Sequence, residues 1–99
     1  MMSQYSVTID DNFHYMDEAY RLHFGTFSTA EEAVVACRRI VDDWLALHRE
    51  TGMTAEQLFE RYVCFGEDPC VVPPDGARAP AFSAWDYARE RARALCEDR

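Results

Sequence analysis

Residues 29–45, TAEEAVVACRRIVDDWL, decide the fold of this chain. They begin with a capping box, in which the Thr29 hydroxyl accepts a hydrogen bond from the N–H of Glu32 and the Glu32 side chain reaches back to the Thr29 N–H. Behind this cap, apolar residues recur every three or four positions, which predicts a helix with one buried face. The predicted buried stripe consists of Ala33, Cys37, Ile40, Val41, Trp44 and Leu45. We expect a helix of about 20 residues that ends near Gly52 with a left-handed cap.

Two segments before this helix have the period of half-buried strands. Apolar residues alternate with polar ones at Tyr5, Val7 and Ile9, and again at Tyr20, Leu22 and Phe24. This alternation predicts an antiparallel hairpin with a long, acidic connection between its strands. We expect Gly25 to end the second strand and the long helix to cover the apolar face of the hairpin, because a hairpin alone is marginally stable in water.

Two more helix starts follow. Residues 54–57 form a second capping box, with Thr54 and Gln57 as the reciprocal pair, and Ser83 begins a similar pattern. We expect the second helix to end at Gly66. Residues 70–72 lie between prolines and form a candidate edge strand, since proline is tolerated at the edge of a sheet. The sequence therefore predicts a single α+β domain over residues 1–99, with the order β-β-α-α-β-α.

The charge of the chain limits its partners. The formal net charge is −8, and all ten basic residues are arginine. Residues 1–20 contain four acids and no lysine or arginine. Such a surface repels phosphate backbones and anionic lipids, so we predict no nucleic-acid partner and no membrane partner. The first residues do not have the composition of a secretory signal, and we expect a cytoplasmic protein.

No pattern of catalytic, cofactor-binding or metal-binding residues is complete. The acids near residues 10–18 do not follow the calcium-loop spacing, because Tyr15 stands where that loop needs glycine. Cys64 and Cys70 are separated by five residues, which is wider than zinc sites favour. A local disulfide between them requires an oxidising compartment. Cys37 and Cys96 lie on apolar helix faces, where cysteine acts as a small hydrophobic residue. We therefore predict no cofactor and no metal.

The most unusual segment is the connection between the two predicted strands. It combines bulky and acidic side chains over eight residues: Asp11, Asn12, Phe13, His14, Tyr15, Met16, Asp17 and Glu18. One interpretation is that Phe13 and Tyr15 fold back onto the core. The other is an aromatic contact surface with an acidic rim, which has the composition of a binding hot spot.

Over nearly its whole length the chain also resembles a group of small bacterial proteins. The resemblance depends on DDNFHYMDE at residues 10–18, GTFSTAEEA at residues 25–33 and FGEDP at residues 65–69. It implies a bacterial, cytosolic, single-domain protein and assigns no catalytic residue.

These observations favour a non-enzymatic protein-interaction domain that uses residues 11–18, with an unidentified protein as partner. The alternative is a small thiol-dependent or hydrolase-like enzyme that uses Cys64 or Cys70 together with a histidine. The sequence leaves a monomer and a homodimer equally open.

Overall fold

The computed structural model describes residues 4–14, 19 and 21–97, and within them the predicted order of elements is confirmed. The elements are β1 Tyr5–Asp11, a 3-10 helix Asn12–His14, β2 Leu22–Phe27, α1 Ala30–His48, α2 Ala55–Phe65, β3 Glu67–Val72 and α3 Ala84–Glu97. The fold class is α+β, with a three-stranded antiparallel sheet and three α-helices in the described part of the chain.

All three helices begin where the sequence places a cap. The Thr29 hydroxyl accepts from the Glu32 N–H at 3.1 Å, and Glu32 accepts from the Thr29 N–H at 3.2 Å. The same pair of bonds joins Thr54 and Gln57 at 3.1 and 3.0 Å. Ser83 accepts from the N–H three residues further on at 3.3 Å. Each cap satisfies backbone donors that a helix end would otherwise leave without a partner.

The first helix has 19 residues, close to the predicted length, but it ends before Gly52. It ends at His48, and Arg49 is its extended C-cap, so the expected left-handed cap at Gly52 was wrong. Gly52 instead lies in a tight turn, which is closed by a 3.0 Å bond from the Met53 N–H to the Glu50 carbonyl. The φ of Gly52 is +84°, a conformation that such a turn requires and that glycine adopts without steric cost.

The third strand is confirmed as an edge strand and is longer than predicted. The strand order is β2-β1-β3, with β1 in the centre and antiparallel to both neighbours. Pro69 lies inside β3 opposite Ile9, although the sequence had indicated it as a boundary. Proline fits there because an edge strand pairs on one side only.

The second strand does not end at Gly25 but continues to Phe27. Its register with β1 shifts by one residue, since Val7 is opposite Gly25 but the next residue, Thr8, is opposite His23. Phe24 is therefore the extra residue of a β-bulge. Tyr20, which we had expected in this strand, lies outside the described residues.

The core has two parts that meet along α1. One is the sheet side, where Val7 and Ile9 pack against Ala33, Cys37 and Ile40. The other joins the three helices around buried residues that include Leu45, Leu58 and Tyr62. The six residues of the predicted α1 stripe are all buried.

The first helix packs on the hairpin, as predicted, but covers β2 only in part. It packs mainly on β1 and β3, because the third strand widens the sheet on that side. The second strand is left beyond the helix, and Leu22 and Phe24 are 62% and 53% exposed.

Candidate functional site

The predicted contact segment begins at the end of β1. Asp11 is the last residue of that strand, and Asn12, Phe13 and His14 form the 3-10 helix that follows. The other four predicted contact residues, Tyr15, Met16, Asp17 and Glu18, lie outside the described part of the chain.

Asn12 anchors this segment to the end of α2. Its side chain is 7% exposed, and its Nδ2 donates to the Tyr62 carbonyl at 2.8 Å. Its backbone N–H donates to the Gly66 carbonyl at 2.9 Å. Carbonyl groups at the end of a helix lack a partner within it, so the bond to Gly66 satisfies an acceptor that needs one. The Tyr62 carbonyl already accepts from the Gly66 N–H at 2.7 Å, and Asn12 gives it a second donor. Asn12 therefore positions its neighbours and is itself buried away from any partner.

Asp11 shapes the turn in which Phe13 and His14 lie. Its carboxylate accepts from the Phe13 N–H at 2.8 Å and lies 3.2 Å from His14 Nδ1. The hydrogen bond with His14, followed by the one from Phe13, lowers the pKa of Asp11 below its usual value. The carboxylate is thus held in its charged form at the edge of the segment.

The Phe13 ring does not fold back onto the core. It is 62% exposed and stacks on Phe65, the last residue of α2, with ring centroids 5.5 Å apart and 17° between the planes. Phe65 is itself 59% exposed. The rings of His14 and Phe13 are nearly perpendicular, with centroids 4.9 Å apart. Two large apolar rings that stack in contact with solvent form the kind of surface that a partner can bury.

A groove adjoins this aromatic pair, and we call it the Phe65 groove. Its volume is about 590 Å³. The large apolar residues that line it come from three elements and from the end of α2: Ile9, Leu22, Trp44, Leu47 and Phe65. Leu47 is 79% exposed, and the two carboxylates that border the groove belong to Asp11 and Glu67. An apolar floor with a few charged groups at its edge is the usual composition of a binding surface.

Glu67 lies opposite Asp11 on the neighbouring strand. Burial, and then the negative charge of Asp11, raise the pKa of Glu67 above its usual value. The backbone of Glu67 is fixed by a 2.6 Å hydrogen bond that the Tyr62 hydroxyl donates to its carbonyl. This end of the groove is therefore a rigid, electronegative position.

Sequence reasoning found Phe13 and Asp11 but missed Leu22, Leu47 and Phe65. Phe65 lies three residues after the buried Tyr62, so helical periodicity alone places it near the covered side of α2. Its exposure depends on where the chain turns into β3. Leu22 follows the strand alternation, which would predict burial if the helix covered both strands. The sequence signals are local, whereas tertiary packing decides the exposure.

The two cysteines of the alternative enzyme hypothesis are exposed, and all four thiols are free. Cys64 lies in the last turn of α2. Cys70 lies on β3, and although the residue as a whole is exposed, partial burial of its thiol, then Asp68 and Asp10, raise the pKa of that thiol to about 11. A nucleophilic thiol needs a pKa shift in the opposite direction.

Cys70 belongs to a polar group on the outer face of the sheet. A carboxylate oxygen of Asp10, a carboxylate oxygen of Asp68 and the Sγ of Cys70 lie within 4.8 Å of one another. Burial, and then the charge of Asp10, raise the pKa of Asp68 to about 6. Arg21 is already bound to Asp10 at 2.6 and 3.3 Å. An interstrand polar cluster with its own arginine explains this arrangement without a metal ion.

Comparisons with models of protein families, with curated proteins and with solved structures found no match. The resemblance to small bacterial proteins thus stays a prediction. Within the described residues, no helix combines the length and the apolar character that crossing a membrane requires.

Proposed function

We propose that this chain is a protein-interaction domain whose contact surface consists of Asp11, Phe13 and His14 together with the Phe65 groove. The observation that carries the proposal is the Phe13–Phe65 stack, in which both rings are more than half exposed. Aromatic side chains on rigid supports are the usual anchors of protein interfaces, because they bury much area at little cost in conformational entropy.

The backbone segments that carry the two rings are held in place by hydrogen bonds, which a loop that only contacts solvent would not need. Asn12 ties the Phe13 segment to α2 through two hydrogen bonds, and Phe65 ends the same helix. A surface that is already ordered before binding loses less entropy when a partner binds. The negative charge near the rings limits non-specific apolar association and favours a partner of complementary charge.

The alternative, a thiol-dependent enzyme that uses Cys64 or Cys70 with a histidine, has less support. The raised pKa of Cys70 favours the neutral thiol. Cys64 lies near the C-terminus of α2, where the helix dipole disfavours a negatively charged thiolate.

The test is affinity capture from the source cells with the tagged full-length chain, followed by binding measurements on each purified candidate. We expect the double variant Phe13→Ala/Phe65→Ala to lose the partner that the wild type captures. Val72→Ala is the matched control, because Val72 is also exposed but lies opposite Ser6 on the other face of the sheet. Circular dichroism establishes that the variants are folded. A folded double variant that keeps every partner of the wild type would refute the proposal.

A further inference from the structure

The apolar surface extends past the Phe65 groove along the whole of β2. A second groove, of about 520 Å³, lies between the other end of β2 and the first half of α1, and we call it the Phe24 groove. Its apolar lining includes Phe24, Phe27 and Val35, of which Phe24 and Val35 are 53% and 56% exposed. Both grooves exist because α1 leans toward β1 and β3, so that among the described residues Leu22 and Phe24 of β2 stay largely exposed.

The two grooves lie end to end. Phe27 and Val35 border one end of the boundary between β2 and α1, and Leu22 and Leu47 border the other. The six residues of β2 span about 17 Å at the usual rise of a strand. An α-helix of roughly three turns, or about 11 residues, has this length.

A strand fits this surface less well than a helix. Strand addition would have to extend the ladder of backbone hydrogen bonds along the free edge of β2. The bulge at Phe24 interrupts that ladder, and bulges are one of the devices that block pairing at sheet edges. A helix needs no backbone bonds from β2 and uses only the apolar groove.

The charges around the grooves favour a basic occupant. Asp11 and Glu67 border the Phe65 groove, while Glu31, Glu32 and Arg39 line the Phe24 groove. Asp11 and Glu67 lie opposite each other on neighbouring strands, and a guanidinium or ammonium group between them would relieve the repulsion between their carboxylates. A second copy of this chain would bring another net charge of −8, so like charges oppose self-association at this surface.

We propose, in an inference that rests on the proposed function, that the occupant of the two grooves is a basic amphipathic helix from another protein. Its apolar face lies against Leu22, Phe24 and Leu47, and an arginine or lysine of the helix lies between the carboxylates of Asp11 and Glu67.

The test is a selection of random peptides, each about four to five helical turns long, displayed against the immobilised full-length chain. We expect the enriched peptides to carry net positive charge and apolar residues at helical spacing. Their Kd should rise by about tenfold or more on Leu47→Asp and by about tenfold on Glu67→Gln, a change that keeps the shape of the side chain. Val72→Asp is the control on the other face of the sheet and should leave the Kd unchanged.

Several results would overturn the inference. Enriched peptides that are acidic or neutral, yet sensitive to Leu47→Asp, would refute the basic occupant while leaving the interaction surface itself intact. Basic peptides that are insensitive to Leu47→Asp or to Glu67→Gln would refute the groove or the carboxylates as their site. Self-association of the chain that Leu47→Asp abolishes would identify a second copy as the occupant. The proposed function fails separately, if the Phe13/Phe65 double variant keeps its partners.

Discussion

The rings of Phe13 and Phe65 stack with their centroids 5.5 Å apart, and a buried side-chain hydrogen bond joins the two segments that carry them. Asn12 and Tyr62, one and three positions away from these rings, form that bond. The exposed stack therefore lies next to a buried polar contact, and mutations can remove the stack and the contact separately.

The stack itself should contribute little to folding. We expect Phe13→Ala and Phe65→Ala each to change the free energy of unfolding by less than about 1 kcal/mol, because both rings are more than half exposed. In a double-mutant cycle from urea unfolding, the two substitutions should show a coupling of about 0.5–1 kcal/mol. Phe24→Ala combined with Phe65→Ala is the control cycle and should be additive. A cycle without coupling would mean that the rings do not stack in solution.

The anchor below the stack should matter more. We expect Asn12→Ala to lower the free energy of unfolding by about 1–1.5 kcal/mol, because the Nδ2 bond to the Tyr62 carbonyl is lost, although that carbonyl keeps its bond from the Gly66 N–H. Gln4→Ala removes an exposed amide instead and should have an effect within about 0.5 kcal/mol. Urea unfolding of both variants measures the difference. Equal effects would show that Asn12 does not anchor the segment.

The elements of this fold were predictable because their signals are local. Capping boxes at Thr29 and Thr54 need only residues three positions apart, and the α1 stripe needs only a helical period. The predicted end of α1 was wrong because Glu50 and Met53 form a turn where the helix was expected to continue. Gly52 suits this turn as well as it suits the cap of a helix. Local pattern alone does not decide between them.

The candidate site was predictable only in part, since exposure depends on tertiary packing. The acidic and aromatic composition of residues 11–14 pointed to a surface, and Phe13 is exposed. Leu22 and Phe24 have the alternation of a buried strand face, yet both are exposed, because β3 pairs on the far side of β1 and α1 follows it. Strand order in the sheet is a long-range property that no window of sequence contains.

Gly66 lines the Phe65 groove and packs closely against Tyr62. A Cβ on this residue would lie 2.6 Å from the Tyr62 carbonyl oxygen and would also clash with Cδ1 of the Tyr62 ring. We expect Gly66→Ala to lower the free energy of unfolding by about 1–3 kcal/mol or more, since the Tyr62 backbone and ring would have to move. Gly25→Ala is the matched control, because its Cβ would meet only ordinary contacts at 3.8 Å. Thermal unfolding with a similar melting temperature for both variants would contradict this close packing at Gly66.

The stability of the chain should depend on pH through Asp68. Its folded-state pKa is about 6, against an ordinary value of 3.8, so between these values the folded state binds a proton that the unfolded state does not. The contribution of Asp68 to stability is therefore fully present below about pH 4 and is lost as the pH rises through 6. The variant Asp68→Asn removes the negative charge of Asp68, which burial and the charge of Asp10 destabilise.

We expect Asp68→Asn to raise the free energy of unfolding at about pH 7.5 by about 1–2 kcal/mol, after allowance for solvent screening, and to have little effect near pH 4. Thermal unfolding across this pH range measures the difference. Asp75→Asn, on an exposed loop, is the control for the loss of one negative charge from a chain of net charge −8. A gain that is equal at the two ends of this pH range, or that Asp75→Asn reproduces, would rule out burial and the Asp10 charge as its cause.

The rates of thiol alkylation should differ between Cys70 and Cys37, and they also test the alternative enzyme hypothesis. Burial and the nearby aspartates raise the pKa of Cys70 from 9.0 to about 11, which lowers its thiolate fraction about a hundredfold near neutral pH. The greater nucleophilicity of a more basic thiolate recovers about tenfold. We therefore expect Cys70 in the native chain to react with iodoacetamide about tenfold more slowly than in urea.

Cys37 is fully buried and its pKa is raised to about 12, so it should stay unmodified until the chain unfolds. Mass spectrometry of the labelled peptides over time follows each cysteine separately. Asp68→Asn should accelerate Cys70, because it removes one of the negative charges that disfavour the thiolate, and should leave Cys64 unchanged. If Cys70 instead reacts faster in the native chain than in urea, the thiol is activated, and the enzyme hypothesis becomes the better interpretation.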